Sequence, residues 1–115
     1  MANMVKTPDE LMKILKAATM GDMCFTHILQ FIEPGMTEKM VADEIEKTLL
    51  SYGAEGLSFP TICVSGVNTT QPHGEPSDKV IEDGDFVTMD FGAVVDGYCG
   101  DMTRTIGIGQ LSEEQ

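Results

Sequence analysis

Basic residues are scarce in this chain: 7 Lys and Arg stand against 19 Asp and Glu among 115 residues, a formal charge of −12. The seven are scattered without forming a stripe, and so large an excess of acid repels a phosphate backbone. Nucleic acid is therefore not an expected partner. Cysteine is also sparse. Cys24, Cys63 and Cys99 form no CxxC and no zinc-like spacing, and an odd set of separated thiols reads as free cysteines in a reducing compartment. No run reaches the roughly eighteen apolar residues that a membrane span needs. Met1 to Thr7 lacks the apolar centre of a signal segment. The expectation is a soluble cytoplasmic protein with no membrane partner. A chain of this length, read as a single domain over residues 1–115, buries roughly two thirds of its unfolded surface, enough for a core without disulfides. The acid excess is first a solubility feature; if it has chemical work, divalent cations are its natural partners.

Thr7-Pro8-Asp9-Glu10 is a helix start, with Thr7 as cap, Pro8 at the first helical position and Glu10 as the capping-box acid. Leu11, Ile14, Leu15, Ala18, Phe25, Ile28, Leu29 and Ile32 recur at three-to-four spacing, which predicts a buried face, and Pro34-Gly35 ends the run. A second helix is predicted from Thr37, with Val41, Ile45, Leu49 and Tyr52 along one stripe and Gly53 as terminator. Glu38, Asp43, Glu44 and Glu46 read as its solvated face. Thr61 to Ser65 is a short β segment, followed by a polar loop from Gly66 to about Asp78. Loops of that length are often functional. At the other end, Leu111 to Gln115 resembles the beginning of a further helix, as though the chain continued.

From Asp85 the pattern changes to period two, and Asp96-Gly97 is the dipeptide that a two-residue hairpin turn prefers. If those two form the loop, Val95 pairs with Tyr98 and Gly92 faces Asp101. Asp90 then shares a face with Asp101 as its diagonal neighbour, their bases about 7 Å apart. The same face carries Thr88, Thr103 and Thr105, while Val87, Phe91, Val95, Met102 and Ile106 point to the core side. Two carboxylates held this close resist joint ionisation unless water or a cation intervenes. Spacing alone leaves two readings: solvated strand acids, or part of a site for divalent ions such as Mg²⁺, Mn²⁺ or Ca²⁺. His73, in Gln71-Pro72-His73-Gly74-Glu75-Pro76, is either an ordinary surface imidazole or a hydrogen-bond donor and proton shuttle held by a stiff backbone. His27, inside the first helix, reads as structural.

Taken together, Ser58-Phe59-Pro60-Thr61-Ile62, Ser65-Gly66-Val67-Asn68, Pro72-His73-Gly74, Gly84-Asp85-Phe86-Val87, and Asp90-Phe91-Gly92 through Asp96-Gly97-Tyr98 to Asp101-Met102-Thr103-Arg104-Thr105 form a specific motif set. On these residues the chain resembles the pita-bread metallopeptidases. Its Pro-His-Gly loop and Asp-Phe-Gly strand look most like the Xaa-Pro aminopeptidase and Xaa-Pro dipeptidase branch, related to methionine aminopeptidase. The resemblance implies an α+β fold, half of a pita-bread domain, with two N-terminal helices packed on a small, mainly antiparallel sheet. It also implies a two-metal hydrolase, usually run with manganese, cobalt, zinc or iron, that removes the N-terminal residue of a peptide substrate. By the same analogy Asp90 would chelate one ion, Asp101 would bridge both, and His73 would contact the substrate near the scissile bond.

The family's remaining ligands, one histidine and two glutamates, lie in a second half that follows the strand ending near Gly109. This chain does not contain them, and Glu113 and Glu114 match no ligand motif. Two aspartates alone should bind metal weakly, so an isolated monomer is expected to have little or no peptidase activity. Three forms are then conceivable. The chain is the N-terminal half of a metallopeptidase, partnered by the missing C-terminal half; or it is a symmetric homodimer with an all-aspartate metal site; or it is a non-catalytic peptide-binding module.

Overall fold

In the computed structural model, residues 7–66 and 75–109 are described. His73, Glu113, Glu114 and the expected helix start at Leu111 to Gln115 lie outside the described residues. α1 (Pro8–Phe31) opens on the expected capping box. Thr7 Oγ1 accepts the Glu10 N–H at 3.1 Å, and Glu10 Oε1 accepts the Thr7 N–H at 2.9 Å. α2 (Glu38–Ser51) starts where Thr37 Oγ1 accepts the Met40 N–H, and Gly53 follows it with φ +102°, a left-handed conformation that glycine adopts without strain. Its Val41, Ile45 and Leu49 are fully buried, as the stripe requires.

The sheet has four strands: β1 (Gly56–Leu57), β2 (Ile62–Ser65), β3 (Phe86–Val95) and β4 (Tyr98–Gly107). β3 and β4 form the expected hairpin in the expected register, from Val95 opposite Tyr98 to Phe86 opposite Gly107. Asp96 and Gly97 have φ of +51° and +85°, the signature of a type I′ turn whose twist suits the strands it joins. β1 and β2 both pair antiparallel with the other edge of β3, β2 along Val87–Asp90 and β1 along Ala93–Val94. β1 is not foreseen in the sequence; two residues are too short to show a period. Val87, Met89, Phe91, Ala93 and Val95 turn one face of β3 into a core shared with α1 and α2.

The buried face of α1 matches the spacing in part: Ile28 is fully buried and Phe25 and Ile32 pack against the core, but the centre of the face is rotated from the one expected. Ala17, Met20, Gly21, Cys24 and Ile28 are buried, whereas Leu11 is 48% and Leu15 60% exposed. Close approach is the reason. A Cβ added to Gly100 on β4 would lie 2.7 Å from the Ala17 carbonyl carbon and 2.7 Å from the Ala18 nitrogen. At that separation only small side chains fit between helix and hairpin, so Ala17 and Gly21 face β4 while Leu15, two positions from Ala17, projects from the far side of α1 into solvent.

Candidate metal centre

The register places Asp90 opposite Thr103 on β4 and Ile62 on β2, and places Gly92 opposite Asp101. Because side chains alternate along a strand, Asp90 and Asp101 share the sheet face turned away from the helices, with the hydrogen-bonded Thr88 and Thr105 hydroxyls, 3.1 Å apart, further along it. Asp90 is half-buried, and its Oδ1 is shut off from solvent with no hydrogen-bond partner among the described residues. A buried carboxylate oxygen left this way is costly unless something outside the described residues satisfies it. Neither aspartate takes part in an ion pair among the described residues.

Asp101 is exposed. Its Oδ1 accepts a hydrogen bond from Ser58 Oγ at 2.5 Å. Ser58 follows β1, and its N–H donates to the Gly92 carbonyl at 3.1 Å. Ser58, Gly92 and Asp101 thus stand in line across three strands. The serine escapes a reading from period and spacing, because nothing local links positions 43 residues apart.

Hard oxygen donors with one buried and unsatisfied atom fit a divalent cation. The pair is incomplete by itself: among the described residues no group of three or more His, Cys, Asp or Glu side chains could hold a metal. A cleft of about 540 Å³ lies elsewhere, lined by Lys39, Asp43, Glu46, Phe59, Thr61 and Glu75 among others, and includes neither aspartate.

The acids of α2 do not all behave as a solvated face. Glu38 is fully buried. It accepts from the N–H and hydroxyl of Ser65 and from those of Ser77. Glu46 takes the Thr61 N–H at 3.4 Å, and Glu44 lies 2.7 Å from His27 Nε2. That contact ties α1 to α2 and gives His27 the structural place expected of it. Lys79 Nζ reaches Ser65 Oγ and Asp85 Oδ2 at 3.1 and 3.2 Å. The three cysteines are free thiols. Burial first, and then the charge of Glu44 or Glu38, pushes Cys24 and Cys63 up to about 12, so neither is a nucleophile at neutral pH.

Comparison with known proteins adds independent findings. Residues 12–115 match the sequence model of metallopeptidase family M24. An uncharacterized peptidase, YqhT, of Bacillus subtilis is 46% identical over 111 residues, which cover 96% of this chain and 31% of the relative. The chain therefore spans about a third of the length of such relatives. Among solved structures, an Xaa-Pro dipeptidase from Bacillus anthracis superposes with a TM-score of 0.88 at 48% identity, covering 92% of this chain and 30% of that one. An X-Pro aminopeptidase from Thermotoga maritima gives 0.88 at 44% identity, covering 98% and 32%. The two helices on a small antiparallel sheet match the N-terminal part of that peptidase fold.

Proposed function

The chain belongs to metallopeptidase family M24, and from that membership we propose that it supplies the N-terminal half of a dinuclear-metal peptidase of the Xaa-Pro dipeptidase or aminopeptidase type. Asp90 and Asp101 are the protein's contribution to the metal site and His73 its contribution to substrate contact. The observation that carries the reading is the buried Oδ1 of Asp90, without a hydrogen-bond partner among the described residues, on the same sheet face as Asp101. Manganese is the favoured cation, with cobalt, zinc or iron as alternatives, two per complete site. Bound there, such ions supply Lewis acidity toward a peptide carbonyl and make a water acidic enough to attack at neutral pH.

The chain's own residues do the rest. Asp90 presents an oxygen already stripped of water, and Asp101 presents a more open carboxylate within diagonal reach. His73 donates a hydrogen bond to the peptide substrate or carries a proton. The ligands still needed come from a C-terminal half. A second copy of this chain is the alternative source, and the outer edge of β4 favours one or other partner: among the described strands its ten residues pair with β3 alone. An unpaired ladder edge of that length calls for a covering strand. No helix among the described residues is long and apolar enough to cross a membrane, and a cytoplasmic location belongs to the same reading.

Calorimetric titration with Mn²⁺ tests the assignment. The parent chain should bind weakly, as two aspartates without the remaining ligands do, and Asp101→Ala should not bind, with unchanged far-UV circular dichroism, because the side chain lies outside the core. Equal binding by the two proteins would overturn the metal site.

A further inference from the structure

We propose that Ser58 is a positioning residue for Asp101, fixing its carboxylate in the orientation in which it meets a divalent cation; this rests on the metal reading of Asp101. The hydroxyl and the carboxylate belong to segments separated by β3, and side chains on strands two apart do not ordinarily touch, since adjacent strands are about 4.8 Å apart. Gly92 removes the obstacle. A Cβ at that position would lie 2.4 Å from both Ser58 Oγ and Asp101 Oδ1, so the absence of a side chain opens a passage over the middle strand, and the two polar groups meet within it.

The serine is itself well held. Its N–H is bonded to Gly92 O, the Glu55 N–H to Val94 O at 2.8 Å, and Gly56 and Leu57 pair with Val94 and Ala93. Its backbone is therefore tied to β3 directly beyond the end of β1, and the donor arrives at Asp101 from a fixed point. Asp101 has no comparable support on its own strand. It is exposed, and without the hydroxyl its side chain is free to rotate at the solvent edge. The hydrogen bond engages one lone pair of Oδ1 and leaves the rest of that oxygen, and Oδ2, open to a cation. Carboxylate ligands are commonly oriented by such outer hydrogen bonds, whose removal weakens metal affinity by about 10- to 100-fold.

The test compares Mn²⁺ affinity in the parent, Ser58→Ala, Ser58→Cys, Ser58→Thr and Asp101→Ala chains, with the metal-free Hα–Hβ couplings of Asp101 as a second readout. The expected result is affinity about 10- to 100-fold lower in Ser58→Ala and Ser58→Cys, near-parent affinity in Ser58→Thr, and a single Asp101 rotamer that becomes averaged in Ser58→Ala. Cysteine keeps the size and loses the strong donor, so it separates hydrogen bonding from packing. Parent-like affinity in Ser58→Ala, alongside loss in Asp101→Ala, would overturn the role of Ser58 and leave the metal site standing. Equal weakening by alanine and threonine would also overturn it. Parent-like binding by Asp101→Ala would overturn the metal reading, whatever the couplings show.

Discussion

Glu38 Oε2 accepts both the backbone N–H and the hydroxyl of Ser65, at 2.7 and 2.8 Å, while its Oε1 does the same for Ser77, at 3.1 and 2.8 Å. The two serines bracket residues 66–76, the stretch of sequence that contains His73. A carboxylate wholly out of solvent thus fastens both roots of that segment to the first turn of α2. Backbone bonds from Glu38 to Lys79 O and from Lys39 to Ser77 O, each 3.0 Å, reinforce the clasp. Burying a charge is costly by itself; four donors aimed at one carboxylate offset that cost.

Glu38→Gln should destabilise the fold by about 2–4 kcal/mol, because the amide can accept on one side only and its NH₂ group then faces donors. Urea unfolding measures the loss. Amide exchange at Ser65 and Ser77 should quicken together, since one group holds both. A change under about 0.5 kcal/mol, the size typical of a neutral surface substitution, would show that the charge is not what holds the segment.

The caps, the second-helix stripe and the hairpin register were legible because each is encoded within a few residues. Thr7 and Glu10 cap α1 three positions apart, and Asp96-Gly97 sets the register of a twenty-residue ribbon from its own two φ angles. The diagonal relation of Asp90 to Asp101 follows from that register alone. What the sequence hid depends on distant partners. Glu38 looks like one more acid on a polar face until Ser65 and Ser77 arrive from 27 and 39 residues away. The inner face of α1 is legible in part: Ile28 lies where the spacing puts it, while Gly100 brings the hairpin so near Ala17 and Ala18 that small residues take that stretch of the contact.

Two glycines at the α1–β4 contact should respond differently to the same added methyl. In Gly100→Ala the new Cβ meets helix backbone, the Ala17 carbonyl carbon and the Ala18 nitrogen, both at 2.7 Å. Backbone yields only if the whole helix moves, so a loss at the upper end of about 1–3 kcal/mol is expected. In Gly21→Ala the nearest atom is Met102 Sδ at 2.6 Å, the end of a flexible side chain that can swing aside. The added methyl also improves helix propensity by about 1 kcal/mol, so the net change should be small. Thermal unfolding of the two variants decides; a larger loss for Gly21→Ala would mean that the hairpin, not the helix, is the yielding partner.

Asp85 gives the fold a component of stability that depends on pH. Its carboxyl is held below the usual range first by the Glu82 N–H, 2.9 Å from Oδ2, and then by the Lys79 ammonium at 3.2 Å, against partial desolvation. An acid whose folded pKa is depressed binds its proton less readily when folded than when unfolded. Its contribution is therefore complete above the unfolded value of about 3.9 and is lost as pH falls through the lower folded value. Asp85→Asn keeps an acceptor for Glu82 but cannot ionise and loses the attraction of Lys79. The parent should accordingly be more stable than Asp85→Asn at pH 6, and the difference should shrink as the pH is taken below 4, where the parent's carboxyl becomes neutral too. Urea midpoints at both pH values measure the difference. A gap that stays constant between them would mean that the ionised form of Asp85 is not favoured in the fold, either by the Glu82 N–H or by Lys79.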